Sequence, residues 1–230
     1  GVDINNSQLS LELNLEQAQF EGEPCVRISI APTTRDDGPL LKELREAVNR
    51  DPATGLFTRK YLIERLEDAL AQPLKGGLRG LAIIRPDAFG NVVETVGSRA
   101  SELVIQGMAD ILKDHVQPSD VYGRFGGTLF AVLLPRGNTR DMQAWSESFC
   151  RKVGAKLFEL SDKSLSVTCT VGLATIDESE PSLDLVISQA MEACQDGRSR
   201  GGDQVAVSSA NQATTEIEDN DRLWVPRIKQ

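Results

Sequence analysis

Cysteine and histidine, which supply many nucleophiles and metal ligands, are few and scattered in this sequence. The cysteines show no Cys-x-x-Cys spacing and lie in apolar segments, so we interpret them as buried free thiols in a reducing cytoplasm. His115 is the only histidine, which excludes a histidine triad or a histidine-rich metal cage. It follows a predicted helix, where we expect a solvated side chain. The four cysteines are Cys25, Cys150, Cys169 and Cys194.

The overall charge and the length of the apolar runs argue against two further classes of function, namely non-specific binding to nucleic acid and insertion into a membrane. The 230 residues include 25 Lys and Arg against 34 Asp and Glu, which gives a formal net charge of −9. This acidic balance disfavours non-specific binding to nucleic acid. No apolar run reaches the ~18 residues that a membrane span requires, so we expect no direct insertion into a membrane.

The elements that must position any site fall into four segments. In residues 1–35 leucines alternate with polar residues, the period of a half-buried strand, and a Gly-Pro turn follows, so we predict a β-hairpin over residues 1–32. Residues 36–50 contain an amphipathic linker helix, and the polar residues 208–230 are predicted to form a flexible linker.

The segment 51–207 alternates helical and strand patterns, which predicts an α/β sandwich of one sheet and its covering helices. Phe125, Gly126, Gly127 and Thr128 form a tight hairpin between two of the strands. Helices are predicted at 59–71 (capped by Thr58), 99–116, 139–158 and 182–195, and strands at 81–84, 121–124, 129–134, 166–176 and 204–207.

Four stretches of this segment, in order and correctly spaced, resemble the GGDEF domain of diguanylate cyclases. The resemblance implies a nucleotide-cyclase-like, mostly antiparallel central sheet covered by helices. The stretches are DPATGLFTR from Asp51, DVYGRFGGTLF from Asp120, SVTCTVGLA from Ser166, and the closing helix and strand from Ala190 to Val205.

An active member of that family joins two GTP molecules into cyclic di-GMP and needs carboxylates that hold Mg²⁺ against the triphosphate. At the positions that match its two metal ligands this chain has Arg85 and Thr128. Arginine cannot bind Mg²⁺ and repels it, so we predict no catalytic residue, no metal site and no bound Mg²⁺ or GTP. The degenerate hairpin consists of Gly126, Gly127, Thr128, Leu129 and Phe130.

A few matching positions keep polar side chains. Glu102 stands where the family has a guanine-binding Asp, and Arg198 where it has a phosphate-facing Lys, so both are remnants of a weak GTP site. Gly90 and Val93 replace a Lys and an Asn that contact substrate, and Gln117 replaces the Arg of the product site. We also expect Arg85 to form a salt bridge in the former metal site.

The flanking segments resemble parts of other signalling domains. Residues 1–35 are similar to the end of a PAS sensor domain, and residues 208–230 to the lead-in of an EAL domain, the cyclic di-GMP phosphodiesterase or receptor fold. Such an architecture resembles regulators of type IV pili and twitching motility. The expected partners are the neighbouring PAS and EAL domains, with a homodimer or another protein left open.

Three functions remain open from the sequence. The first is a non-catalytic module that relays signals between a PAS and an EAL domain. The second is a nucleotide sensor that binds GTP without turnover and regulates an adjacent EAL phosphodiesterase. The third is a cyclase that works only in a heterodimer with an intact cyclase domain. Binding and turnover of GTP distinguish them.

Overall fold

The computed structural model describes residues 11–20, 23–32, 48–74, 76–160, 163–176 and 182–208, and the chain divides into two compact units after Val48. In the first unit β1 (Leu11–Phe20) pairs with β2 (Glu23–Pro32) in antiparallel register. The hairpin predicted there is confirmed. Most of the predicted linker helix, and the tail after residue 208, lie outside the described residues.

The second unit contains a five-stranded sheet and a separate two-stranded hairpin. The strands of the sheet are β3 (Leu78–Pro86), β4 (Val121–Gly126), β5 (Leu129–Arg136), β8 (Cys169–Thr175) and β9 (Val205–Val207). The hairpin consists of β6 (Leu157–Leu160) and β7 (Lys163–Ser166). The order in the sheet is β4-β5-β3-β8-β9. All neighbouring strands are antiparallel except β8 and β9, which are parallel, so the predicted mostly antiparallel sheet is confirmed.

Helices cover both faces of this sheet because the central strand is apolar on both sides. Ala82 and Ile84 of β3 face α2 (Phe89–Lys113) and α3 (Thr139–Ala155) in one core. Leu81 and Ile83 face α1 (Arg59–Ala71) and α4 (Leu183–Ser199) in the other. Among the described residues, no helix has the length and apolar character needed to cross a membrane.

Several local predictions differ from the structure. The strand predicted over 166–176 extends only over Cys169–Thr175, because Ser166 belongs to β7 of the neighbouring hairpin. Helix α2 begins at Phe89, ten residues before the predicted start, and has a kink at Gly97, whose φ is 80°. The helix predicted to reach residue 158 ends at Ala155, because the chain enters the β6–β7 hairpin. Thr58 does occupy the N-cap of α1, but its side chain forms no capping hydrogen bond.

Candidate functional site

The Gly-Gly hairpin between β4 and β5 keeps its backbone geometry while its acidic side chains are gone. Gly126 has a φ of 149° and Gly127 a φ of 54°, in the region that favours glycine. Phe130 is buried in the core on the α2 and α3 face. Thr128 and Leu129, which stand at the two acidic positions of the resemblance, are half-buried. The hairpin therefore retains a structural role without the carboxylates.

Arg124 joins the start of the second unit to this hairpin. Its Nε donates to the carbonyl of Gly127 at 3.0 Å, and its Nη1 donates to Asp51 at 3.1 Å. The same guanidinium lies 3.9 Å from the carboxylate of Glu102. Burial raises the pKa of Asp51, but hydrogen bonds from Thr54 and Arg124 outweigh it and leave the pKa below its ordinary value.

Asp87 lies just after β3, two residues beyond Arg85, and protein donors form hydrogen bonds to both of its oxygens. The hydroxyl of Thr170 donates to Oδ1 at 2.7 Å and that of Thr168 to Oδ2 at 2.9 Å. The backbone N–H of Asp203 donates to Oδ2 at 2.8 Å. Arg198 adds an ion pair, with Nε 4.0 Å from Oδ1. The carboxylate therefore fastens the turn after α4 to the ends of β3 and β8.

The backbone around Asp87 is strained. Among the described residues, Ala88 (φ 46°) and Asp203 (φ 50°) are the non-glycine residues with positive φ, and both adjoin this carboxylate. Gly202 also packs on it, since a Cβ at this position would lie 2.8 Å from Cγ of Asp87. Such strain persists only where surrounding contacts fix the conformation, which here are the hydrogen bonds to Asp87.

These residues do not fit a Mg²⁺ site. Mg²⁺ requires near-octahedral oxygen ligands, usually including carboxylates. Arg85 brings a positive charge, Thr128 offers only a neutral hydroxyl, and both oxygens of Asp87 already accept hydrogen bonds. Across the part of the chain that the structure describes, no group of three or more His, Cys, Asp or Glu side chains could hold a metal ion.

The two predicted remnants of a GTP site lie apart and have internal partners. Glu102 pairs with Arg124, beside the hairpin, whereas Arg198 pairs with Asp87, beside the ends of β3 and β8. The Nε of Arg198 is buried and makes no hydrogen bond. The salt bridge expected for Arg85 is not found with any described residue.

The position of the family's product site is also occupied from within. Arg136 donates two parallel hydrogen bonds to Asp120, from Nη1 to Oδ1 at 2.6 Å and from Nη2 to Oδ2 at 2.8 Å. The side chain of Asp120 is 0% exposed, and its Oδ2 also accepts the backbone N–H of Gln117 at 2.8 Å. This buried bidentate pair thus engages both oxygens of Asp120 within the protein.

Sequence reasoning missed the central role of Asp87. The available signal was the pair of threonines at alternate positions of the third matching stretch, because residues two apart on a strand face the same side. Arg124 lies in the second matching stretch, but nothing in its local sequence indicates Asp51 as a partner.

The family model for the diguanylate cyclase GGDEF domain matches residues 48–204. The chain is similar to the diguanylate cyclase DgcP of Pseudomonas aeruginosa, at 30% identity over 90% of this chain and 34% of that protein. It is also similar to diguanylate cyclase A of Treponema denticola, at 25% identity over 74% of this chain and 47% of that protein. The chain thus spans from a third to a half of these relatives' length.

Solved structures agree with these sequence matches. Diguanylate cyclase SiaD of Pseudomonas aeruginosa, solved in complex with its activator SiaC, superposes with a TM-score of 0.69 at 29% identity, over 74% of this chain and 65% of that one. The GGDEF domain of FimX from Pseudomonas aeruginosa superposes with a TM-score of 0.64 at 25% identity, over 68% of this chain and 98% of that one. With its fold, its hairpin and its matched residues 48–204, the chain belongs to the GGDEF family of diguanylate cyclase domains.

Proposed function

We propose that this chain is a non-catalytic regulatory module of cyclic di-GMP signalling, which relays signals between a PAS sensor domain and an EAL domain in the cytoplasm. Its partners are those neighbouring domains or a further protein. The similarity to the FimX GGDEF domain supports a role related to that protein, with type IV pilus or twitching-motility control as the candidate process.

The observation that carries this proposal is the loss of both metal-binding carboxylates. Arg85 and Thr128 stand at these positions, and both oxygens of Asp87, two residues after Arg85, accept hydrogen bonds from the protein. A phosphoryl transfer that lacks its metal loses the main stabilisation of the triphosphate charge. The fold is retained without this chemistry, which supports a function based on protein contacts.

The contacts of Arg124 supply a route for such a relay. Asp51 lies at the start of the second unit and shares the Arg124 guanidinium with Gly127 at the hairpin tip. A displacement of the chain at Asp51 therefore acts directly on the hairpin. The solved complex of SiaD with its activator shows a GGDEF protein of this kind held by a regulatory protein, which supports a protein partner here.

Incubation of the chain with GTP and Mg²⁺ tests the proposal, with cyclic di-GMP measured by mass spectrometry and DgcP as the active control. We expect no product, and no heat when GTP is titrated with or without Mg²⁺. Turnover by the chain alone would overturn the proposal. Binding without turnover would favour the nucleotide sensor, and activity only on mixing with DgcP would favour the heterodimeric cyclase.

The relay itself is tested by the substitution Arg124→Met. Hydrogen exchange should increase both at residues 51–57 and at the hairpin residues 126–129, because the shared guanidinium is gone. The matched control is Arg65→Met, which removes an exposed arginine of α1 whose partner, Asp68, lies on the same helix. An increase confined to one of the two segments would contradict the coupling.

A further inference from the structure

Two cysteines from different elements meet inside the second unit. Cys150 of α3 and Cys169 of β8 lie with their sulfur atoms 3.9 Å apart. Cys150 is 6% exposed and Cys169 is 0% exposed, within the core between α3 and the sheet. Cys194 is buried on the opposite face of the sheet, where its thiol donates to the carbonyl of Thr170 at 3.6 Å. The second unit thus contains one thiol pair and one separate buried thiol.

A surface cleft reaches one member of this pair. It has a volume of about 430 Å³, and its wall includes Cys150 together with Glu147, Arg151, Thr168 and Gln204. A space of this size admits a small oxidant such as hydrogen peroxide. Cys169 lies behind Cys150 and does not line the cleft. Of the two cysteines, only Cys150 lines the cleft, so an oxidant that enters it meets Cys150 first.

We propose that Cys150 and Cys169 form an oxidation site, in which a hydroperoxide oxidises Cys150 and Cys169 then closes a disulfide. The Cys150 thiolate attacks one oxygen of hydrogen peroxide, the O–O bond breaks, and hydroxide leaves, which takes up a proton to become water. The Cys169 sulfur then attacks the sulfenic sulfur, its proton leaves with the hydroxyl as a second water, and the S–S bond forms. Two thiols are oxidised while one peroxide is reduced to two waters.

The environment of the two sulfurs assigns the order of these steps. The hydrogen bond that Cys169 donates to Cys150, followed by burial, holds the pKa of Cys169 well above its ordinary value. Cys169 is therefore the poorer first nucleophile, since the thiolate is the reactive form. It is suited to the second step, because its sulfur already touches the sulfur that it must attack.

The cross-link acts on the site described above. Cys169 lies between Thr168 and Thr170, whose hydroxyls both donate to Asp87. The thiol of Cys150 also lies 4.0 Å from the carbonyl of Gln204, in the turn that Asp87 fastens. Drawing the two sulfurs together therefore shifts the strand that supports Asp87. This inference concerns residues that the proposed relay does not use, so either can fail without the other.

The experiment is mass spectrometry of the chain after treatment with hydrogen peroxide and alkylation of the remaining thiols. Trypsin releases Cys150 in residues 141–151, and places Cys169 and Cys194 together in residues 164–198. The Cys194→Ser variant therefore identifies which thiol is linked. We expect the cross-linked pair of peptides in the natural chain and in Cys194→Ser, and its absence from Cys150→Ser and Cys169→Ser.

Two further measurements keep the test decisive. In Cys169→Ser, a sulfenic-acid reagent such as dimedone should label Cys150, because the second thiol is missing. In the natural chain, oxidation should raise the thermal midpoint by about 5–10 °C, the effect of closing a loop of this length. The proposal would be overturned if peroxide oxidised Cys25 but produced no link between the peptides 141–151 and 164–198. It would also be overturned if the link between these peptides disappeared in Cys194→Ser.

Discussion

Asp87 shows how one carboxylate can hold the ends of separate elements together. Its oxygens accept from two threonine hydroxyls and one backbone N–H, so they hold three chain segments together. Hydrogen bonds to a charged acceptor contribute more than neutral ones, and each donor left unpaired in a buried site costs further stability. The residue therefore matters to the fold even though the surrounding site does not fit a metal.

We predict that Asp87→Asn lowers the free energy of unfolding by about 1.5–3 kcal/mol, because an amide offers one acceptor oxygen where the carboxylate offers two. Urea unfolding measures this change. The matched control is Asp203→Asn, since Asp203 reaches the cluster through its backbone N–H and asparagine tolerates a positive φ. Equal losses in the two variants would contradict this role of Asp87.

His115 is half-buried, so the expectation that it is solvated was wrong. Its Nε2 lies 3.0 Å from the carbonyl of Trp145, which can only accept, so Nε2 carries the proton. Its Nδ1 accepts from the ammonium of Lys152 at 3.0 Å. Burial lowers the pKa of His115, as do Lys152 and Arg136, against the raising effects of the Trp145 carbonyl and Asp120.

We predict that the chain loses stability as the pH falls below the ordinary histidine pKa of 6.5. Below pH 6.5 the histidine of the unfolded chain is protonated, whereas His115 in the folded chain stays neutral. The stabilising contribution of His115 is therefore complete above pH 6.5, and it is lost as the pH falls towards the lower pKa of the folded state. Thermal midpoints between pH 7.5 and 5.5 measure the slope. His115 is the only histidine, so His115→Gln should flatten it, and an unchanged slope would contradict this assignment.

At the scale of elements, α2 packs closely on the β6–β7 hairpin through a helical glycine. A Cβ at Gly107 would lie 2.7 Å from Cε1 of the Phe158 ring, which is itself buried. An ordinary contact needs at least 3.4 Å, so any larger residue must push the ring out of its place. The hairpin that sequence periodicity missed therefore packs tightly on α2 at this glycine.

We predict that Gly107→Ala lowers the free energy of unfolding by about 1–3 kcal/mol, the cost of overpacking a core. Gly154→Ala is the matched control, because Gly154 also lies in a helix but has no atom within 4 Å of a Cβ. That variant should be neutral or gain up to about 1 kcal/mol from helix propensity. Urea unfolding gives the free energy of unfolding of each variant. If Gly107→Ala is as stable as the natural chain, the ring of Phe158 can move away from a Cβ at this position without cost, which would contradict the prediction.

The sequence predicts the elements better than it predicts the site. Helices α1, α3 and α4 follow from apolar residues at helical spacing. The ends of α1 are the predicted ones, and those of α3 and α4 differ by at most four residues. The first turns of α2 were missed because Gly97 interrupts the pattern, and β6 and β7 because each has only 4 residues. The cluster around Asp87 joins residues 81 and 83 positions apart, which only the register of β3 and β8 brings together.

At the scale of the whole molecule, the two units divide after Val48. Both cores of the five-stranded sheet consist of residues that follow Asp51 in the chain. We predict that deletion of residues 1–48 leaves the thermal midpoint of the second unit within about 2 °C, a shift that corresponds to less than ~1 kcal/mol. Calorimetry of the shortened chain and of the natural chain measures the two thermal midpoints. A shortened chain whose midpoint falls by more than this limit would show that the first unit stabilises the second.

The position of β3 at the centre of the sheet also has a consequence for synthesis on the ribosome. One neighbour, β5, leaves the ribosome soon after β3, but Ile84 pairs with Val171 of β8, which is made much later. At roughly 5–20 residues per second, the nascent chain waits several seconds before this partner emerges. During that interval one edge of β3 keeps its backbone N–H and C=O groups unpaired, beside apolar side chains on both faces. The order of synthesis therefore makes the emergence of β8 the step that pairs the second edge of β3, an apolar strand that until then waits for a distant partner.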